Sequence, residues 1–170
     1  MQLAELLTGL DKLIPFRYAE DWDKVGLHIG NPASVINRVQ VALDLTAESI
    51  TAAVHFQADL LLVHHPPIFS PLNGLRSDQP VERPVLAAVQ AGLSVVALHT
   101  NLDAVPGGVP DQFAELIGLN DVITLAPLSE TIVNDDTDRY VATGSESGGF
   151  ASAFTRKTGF RVFDAGSRQQ

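Results

Sequence analysis

Five histidines and no cysteine bound the chemistry open to this chain of 170 residues. Without thiols there is no disulfide framework, no thiolate zinc site and no cysteine nucleophile, so any metal must be held by His, Asp and Glu. His64 and His65 stand side by side at the end of an apolar run, Leu60 to Val63. On an extended backbone, neighbouring side chains point to opposite faces, so such a pair serves two ions more readily than it chelates one. A carboxylate from a neighbouring segment, Asp103, would give one oxygen to each ion. Paired divalent sites of this kind act on phosphoryl and carbonyl groups, and imidazole with carboxylate suits zinc, iron, manganese or nickel better than calcium. The same residues also read as the polar end of a buried strand and a turn-forming Asp, and spacing alone leaves both readings open.

Other side chains fall into supporting parts. His99 ends a second apolar run as His64 ends the first, and its expected part is to hydrogen-bond a ligand from behind. Asp44, near the end of a third run, is placed to orient a histidine. Trp22, between Asp21 and Asp23, is expected to line a polar pocket together with Asp23. His28, among glycines, and His55, near a helix end, are assigned no part in the site. The run Gly144-Ser145-Glu146-Ser147-Gly148-Gly149 has the shape of a phosphate cradle, but it lacks the Gly-Lys-Ser/Thr of a P-loop and has Glu146 where a nucleophile elbow needs Ser.

These residues need elements to position them. Leu3, Leu6, Leu7, Leu10, Leu13 and Ile14 repeat at helical spacing and stop at Pro15. Val39 to Leu45 reads as a strand, and Thr46 as the N-cap of a helix running to about Gln57, with Glu48 in its first turn. Leu60 to Val63 and Ser94 to Leu98 read as strands covered on both faces. Between them, after a polar loop from Ser70 to Arg83, a helix over Val85 to Gln90 closes at Gly92. Strand, helix, strand, helix, strand predicts an α/β fold with a mostly parallel sheet flanked by helices, and such sheets bind ligands beyond the carboxyl ends of their strands. Further helix and strand signals lie at 110–119 and 121–125. An acid- and Thr-rich linker at 130–138 then separates a metal-binding α/β domain, 1–129, from a partial second α/β segment, 139–170.

Composition removes several function classes. The 20 acidic residues against 11 basic give a formal charge of -9, which argues against a nucleic-acid surface, since phosphate contacts need clustered Lys and Arg. No apolar run approaches the roughly 20 residues of a membrane span, and Met1 to Leu10 lacks the basic start of a signal peptide. A cytoplasmic protein with no membrane association is expected.

Taken together, His64-His65-Pro66-Pro67-Ile68-Phe69, His99-Thr100-Asn101-Leu102-Asp103 and Gly107-Gly108-Val109 give the sequence a specific resemblance to the GTP cyclohydrolase 1 type 2 homologs, the Nif-three-like dinuclear metal-centre proteins. The resemblance extends to Asp21-Trp22-Asp23-Lys24-Val25-Gly26-Leu27, similar to the family's W-D-N-V-G-L with Lys24 in place of Asn, and to Val41 to Thr46. It covers residues 1 to about 125. It implies a metal role for His64, His65 and Asp103, two divalent ions per subunit, and a homo-oligomer, a hexameric ring in the family. The family completes its metal pair with a His and a Glu in a C-terminal G-H-x-x-x-E motif. No His follows His99 here, so the second half reads as incomplete.

Two functions follow from that resemblance. One is a metal-dependent hydrolase of a nucleotide-like or phosphorylated small molecule. The other is a metal-binding oligomeric interaction protein without turnover.

Overall fold

The computed structural model describes residues 1–119 and 122–126 and the strand 139–141. The chain divides into two compact units, Met1–Leu102 and Asp103–Gln170. The expected linker at 130–138 and the Gly-rich run at 144–149 lie outside the described residues.

The first unit is built on a four-stranded sheet in the order β1-β4-β3-β2, formed by β1 (Gly26–Ile29), β2 (Val39–Ala42), β3 (Leu60–Val63) and β4 (Ser94–Ala97). Strands β2, β3 and β4 run parallel, with Val39 opposite Leu60 and Leu60 opposite Ser94. Strand β1 closes the other edge antiparallel to β4, pairing Gly26 with Ala97. Sequence periodicity leaves Phe16 to Pro32 irregular, because β1 is too short to show alternation. Gly30, just after it, has φ +132, and a Cβ there would meet the Ser94 hydroxyl at 2.6 Å. Only glycine lets the chain pass this close to β4.

Helices cover both faces, which is why β3 and β4 are apolar without alternation. On one face, α2 (Ala47–Phe56) and α3 (Glu82–Gln90) set Ile50, Ala53, Val85 and Ala88 against Leu61, Val63, Val95 and Ala97. On the other, α1 (Leu3–Leu13) lays Leu3, Leu6, Leu7 and Leu10 over Leu60, Leu62, Val96 and Leu27. The α2 start has the expected cap: Thr46 Oγ1 accepts from the Ser49 N–H at 3.1 Å, and Ser49 Oγ accepts from the Thr46 N–H at 2.8 Å. Both crossover helices end alike, with Gln57 and Gly92 in the left-handed region and the next N–H returning to the last turn, Ala58 to Ala53 and Leu93 to Ala88. Helix α3 begins earlier than its apolar pattern suggests. Its first turn, Glu82-Arg83-Pro84, is polar but suits a helix start.

A short helix that periodicity does not reveal, α4 (Thr100–Ala104), follows β4 directly. In the second unit, α5 (Val109–Ile117) starts at Gly108 with Pro110 in its first turn and ends at left-handed Gly118. Strands β5 (Ile123–Ala126) and β6 (Arg139–Val141) form an antiparallel pair.

Candidate metal centre

The parallel strands deliver three histidines to their carboxyl ends. Strand β3 stops at Val63, and the chain then bends: the His64 N–H reaches the Ala42 and Leu43 carbonyls at 3.2 Å each, and the His65 N–H donates to Leu43 at 3.0 Å. Because the backbone is no longer extended, the two rings do not diverge as an ideal strand would have them. Their centroids lie 5.0 Å apart, and each lies within 5.6 Å of the His99 ring, which β4 brings in from the neighbouring strand end. One ligand atom from each of His64, His65 and His99 lies within 4.8 Å of the other two, a grouping that could hold a metal ion. His99, expected behind a ligand, thus stands beside the other two.

Hydrogen bonds fix the tautomers. His64 Nδ1 is 2.9 Å from the Leu98 carbonyl, His65 Nδ1 is 2.7 Å from Asp44 Oδ1, and His99 Nδ1 is 2.9 Å from Asp23 Oδ1. A carbonyl or carboxylate oxygen only accepts, so each Nδ1 carries a proton, and in the neutral ring the lone pair is then on Nε2. Histidines that bind metals are commonly oriented in this way, by an acceptor on the nitrogen away from the ion.

The two aspartates differ in their surroundings. Asp44 is half exposed with His65. The Asp23 side chain is fully buried, turned under His99 instead of lining a pocket, while Trp22 beside it faces outward. Asp23 also accepts from the Thr100 hydroxyl at 2.5 Å, the Thr100 N–H at 3.1 Å and the Lys24 N–H at 2.7 Å. Burial alone would raise its pKa, but the hydrogen bonds from His99, Thr100 and Lys24 outweigh it and hold the carboxyl below its ordinary range. Asn101, fully buried, braces the same turn by accepting from the His99 N–H at 2.9 Å and donating to the Ile14 carbonyl at 3.3 Å. Nothing in the spacing marks Asn101; the tightly packed T-N-L-D segment only acquires its meaning once α1 and β4 are adjacent.

Asp103 sits on α4 at the start of the second unit. His28 Nε2 donates to the Lys24 carbonyl at 2.7 Å, and His55 lies in the last turn of α2; neither joins the three-histidine group.

A mostly parallel sheet with clustered imidazoles at the carboxyl ends of its strands defines an α/β protein with a histidine group that could hold a metal ion. The chain belongs to the Duf34/NIF3 (NGG1p interacting factor 3) family, whose model matches residues 1–164. It is 35% identical over 125 residues to a Lactococcus lactis protein named GTP cyclohydrolase 1 type 2 homolog, covering 74% of this chain and 49% of that one. A Bacillus subtilis protein of the same name is 37% identical over 123 residues, covering 72% and 33%. The chain therefore spans between a third and a half of the length of these relatives. Among solved structures, a Staphylococcus aureus hypothetical protein superposes with TM-score 0.71 at 34% identity, over 75% of this chain and 42% of that one. A Bacillus cereus protein related to NIF3 also gives 0.71, at 32% identity, over 75% and 35%. Among the described residues, no helix is long and apolar enough to cross a membrane.

Proposed function

We propose that the protein holds divalent metal through His64, His65 and His99 and acts as a metal-dependent hydrolase on a nucleotide-like or phosphorylated small molecule. The observation that supports this most is the convergence of three imidazoles whose Nδ1 protons are already committed to Leu98, Asp44 and Asp23. Three neutral nitrogen donors suit zinc, iron, manganese or nickel. An ion bound there supplies Lewis acidity toward a phosphoryl or carbonyl oxygen. The chain's own contribution is to bring three imidazoles within reach of one ion and to engage each Nδ1 with an acceptor. The nucleotide part of the reading draws on the relatives' name, GTP cyclohydrolase 1 type 2 homolog. A second ion of the expected pair would involve Asp103, and the family resemblance supports a homo-oligomer, a hexamer.

A second reading, a metal-binding interaction protein without turnover, is favoured by edge strand β2, where Val39, Val41 and the following Leu43 remain exposed. Elemental analysis of the purified protein, followed by turnover assays on a nucleotide panel with added Mn, Zn or Fe, separates the two readings. Tight metal binding with no turnover favours the second. His65→Ala is expected to weaken metal binding by about 100-fold or more with little loss of stability, since the side chain is 48% exposed. Full metal retention in that variant would overturn the assignment. Asp103→Asn tests the bridge, with both ions expected to weaken together; retention of one ion at native affinity would make Asp103 a ligand to a single ion.

A further inference from the structure

Two large aromatic side chains stand exposed beside the histidines, Trp22 at 55% and Phe69 at 48%. Their ring centroids are 6.0 Å apart with planes tilted by 51°, and the indole meets the His99 ring nearly edge-on, at 6.3 Å and 78°. Neither is a loose surface group. The Trp22 backbone is held from both sides: the Glu20 N–H donates to Thr100 Oγ1 at 3.0 Å, the Asp23 N–H returns to the Glu20 carbonyl at 2.9 Å, and the Asp23 carboxylate is bound to His99 and Thr100. Phe69 follows Pro66 and Pro67, whose rings fix φ, and Ile68, which packs against the core. The fold thus anchors the residues around both rings while leaving much of their area in water, which burial would otherwise have made favourable.

A tilted pair at this separation forms a corner. A flat ring can stack on the indole face with its edge toward the phenyl, an arrangement aromatic groups prefer over a parallel sandwich. Base–aromatic stacking contributes to binding, and a ribose phosphate has no π-face with which to share in it.

We infer that Trp22 and Phe69 form an aromatic subsite that takes a planar heteroaromatic ring of purine size and presents its substituents to the histidines. The direction in which those substituents point rests on the metal reading above; the stacking itself does not. Trp22 is the sole tryptophan in the sequence, so indole fluorescence reports this corner alone. The test titrates guanosine monophosphate, with ribose 5-phosphate as the matched probe lacking a base, into metal-loaded and chelator-treated protein, with metal content measured in parallel. Saturable quenching by the nucleotide in both preparations, and none by the sugar phosphate, is expected. Phe69→Leu should weaken the nucleotide about tenfold, the order of one lost stacking contact, and Phe69→Tyr should restore it, with metal content unchanged in both. Quenching that persists while the protein binds no metal sinks the metal reading and leaves the subsite standing. Metal binding without saturable quenching, equal response to ribose 5-phosphate, unchanged affinity in Phe69→Leu, or an emission spectrum that shifts with protein concentration alone, the mark of a second copy covering the rings, overturns the subsite.

Discussion

The two edges of the same sheet use carboxylates for different ends. At the amino edge, Asp59 precedes β3, and its Oδ2 accepts from the Asn37 and Arg38 N–H groups at 2.7 and 2.9 Å, tying the entry of β2 to the entry of β3. Around it, the ends of α2 and α3 and the stretch Ser34–Ile36 line a cavity of about 530 Å³. At the carboxyl edge, Asp23 and Asp44 accept instead from imidazoles, and the chain they tie down is the chain that carries His99 and His65. A carboxylate fed by backbone N–H groups sets strand register. A carboxylate fed by a histidine spends the same capacity on one ring's tautomer and direction, so its loss should be read in metal affinity as well as in stability.

The largest effect should come where the two uses coincide. Asp23→Ala removes the acceptor of His99, of the Thr100 hydroxyl and N–H and of the Lys24 N–H in a fully buried setting. Donors stripped of a buried partner cost about 1–3 kcal/mol, and a loss of about 3 kcal/mol by chemical denaturation is expected together with loss of metal. A variant that unfolds normally and keeps its metal would break the contrast between the edges.

Asp44→Asn isolates the orienting role, because this carboxylate is half exposed and touches His65. Metal affinity should fall about 10- to 100-fold, measured by competition with a chelator, while the denaturation midpoint stays within error. A change in stability with no change in affinity would assign Asp44 to structure, as Asp59 is.

Asp59→Asn probes the other edge and should be the mildest. About 1 kcal/mol of stability should be lost, with metal affinity untouched. The N–H groups of Asn37 and Arg38 hold the Asp59 carboxyl below its ordinary range. A depressed folded pKa gives stability that is fully present above the unfolded value of about 3.9 and disappears as pH falls through the folded one. The native protein should therefore lose some stability on acidification below about pH 4, and Asp59→Asn should lack that part of the acid dependence in denaturation curves taken across this range.

Much of this molecule is written locally. The unbroken apolar character of Leu60 to Val63 and Val95 to Ala97 demands cover on two faces, and the helical spacing of Leu3, Leu6, Leu7 and Leu10, the Thr46 cap and the stop at Gly92 place the helices that provide it. A parallel sheet with its histidines at the carboxyl edge follows from those elements, and so does the identity of the residues worth watching there. Sequence alone could not decide how they meet. The approach of His64 to His65 depends on where β3 ends, because one more extended residue would have turned the rings to opposite faces, and that end is set by hydrogen bonds to the carbonyls of Ala42 and Leu43 at the end of β2. Likewise, the partnership of His99 with Asp23 spans 76 positions and that of His65 with Asp44 spans 21. Periodicity reports which face of an element a side chain occupies, but pairings across such distances exist only after β1, β4, β3 and β2 have taken their order in the sheet, since that order is what brings the separate strand ends within reach of one another.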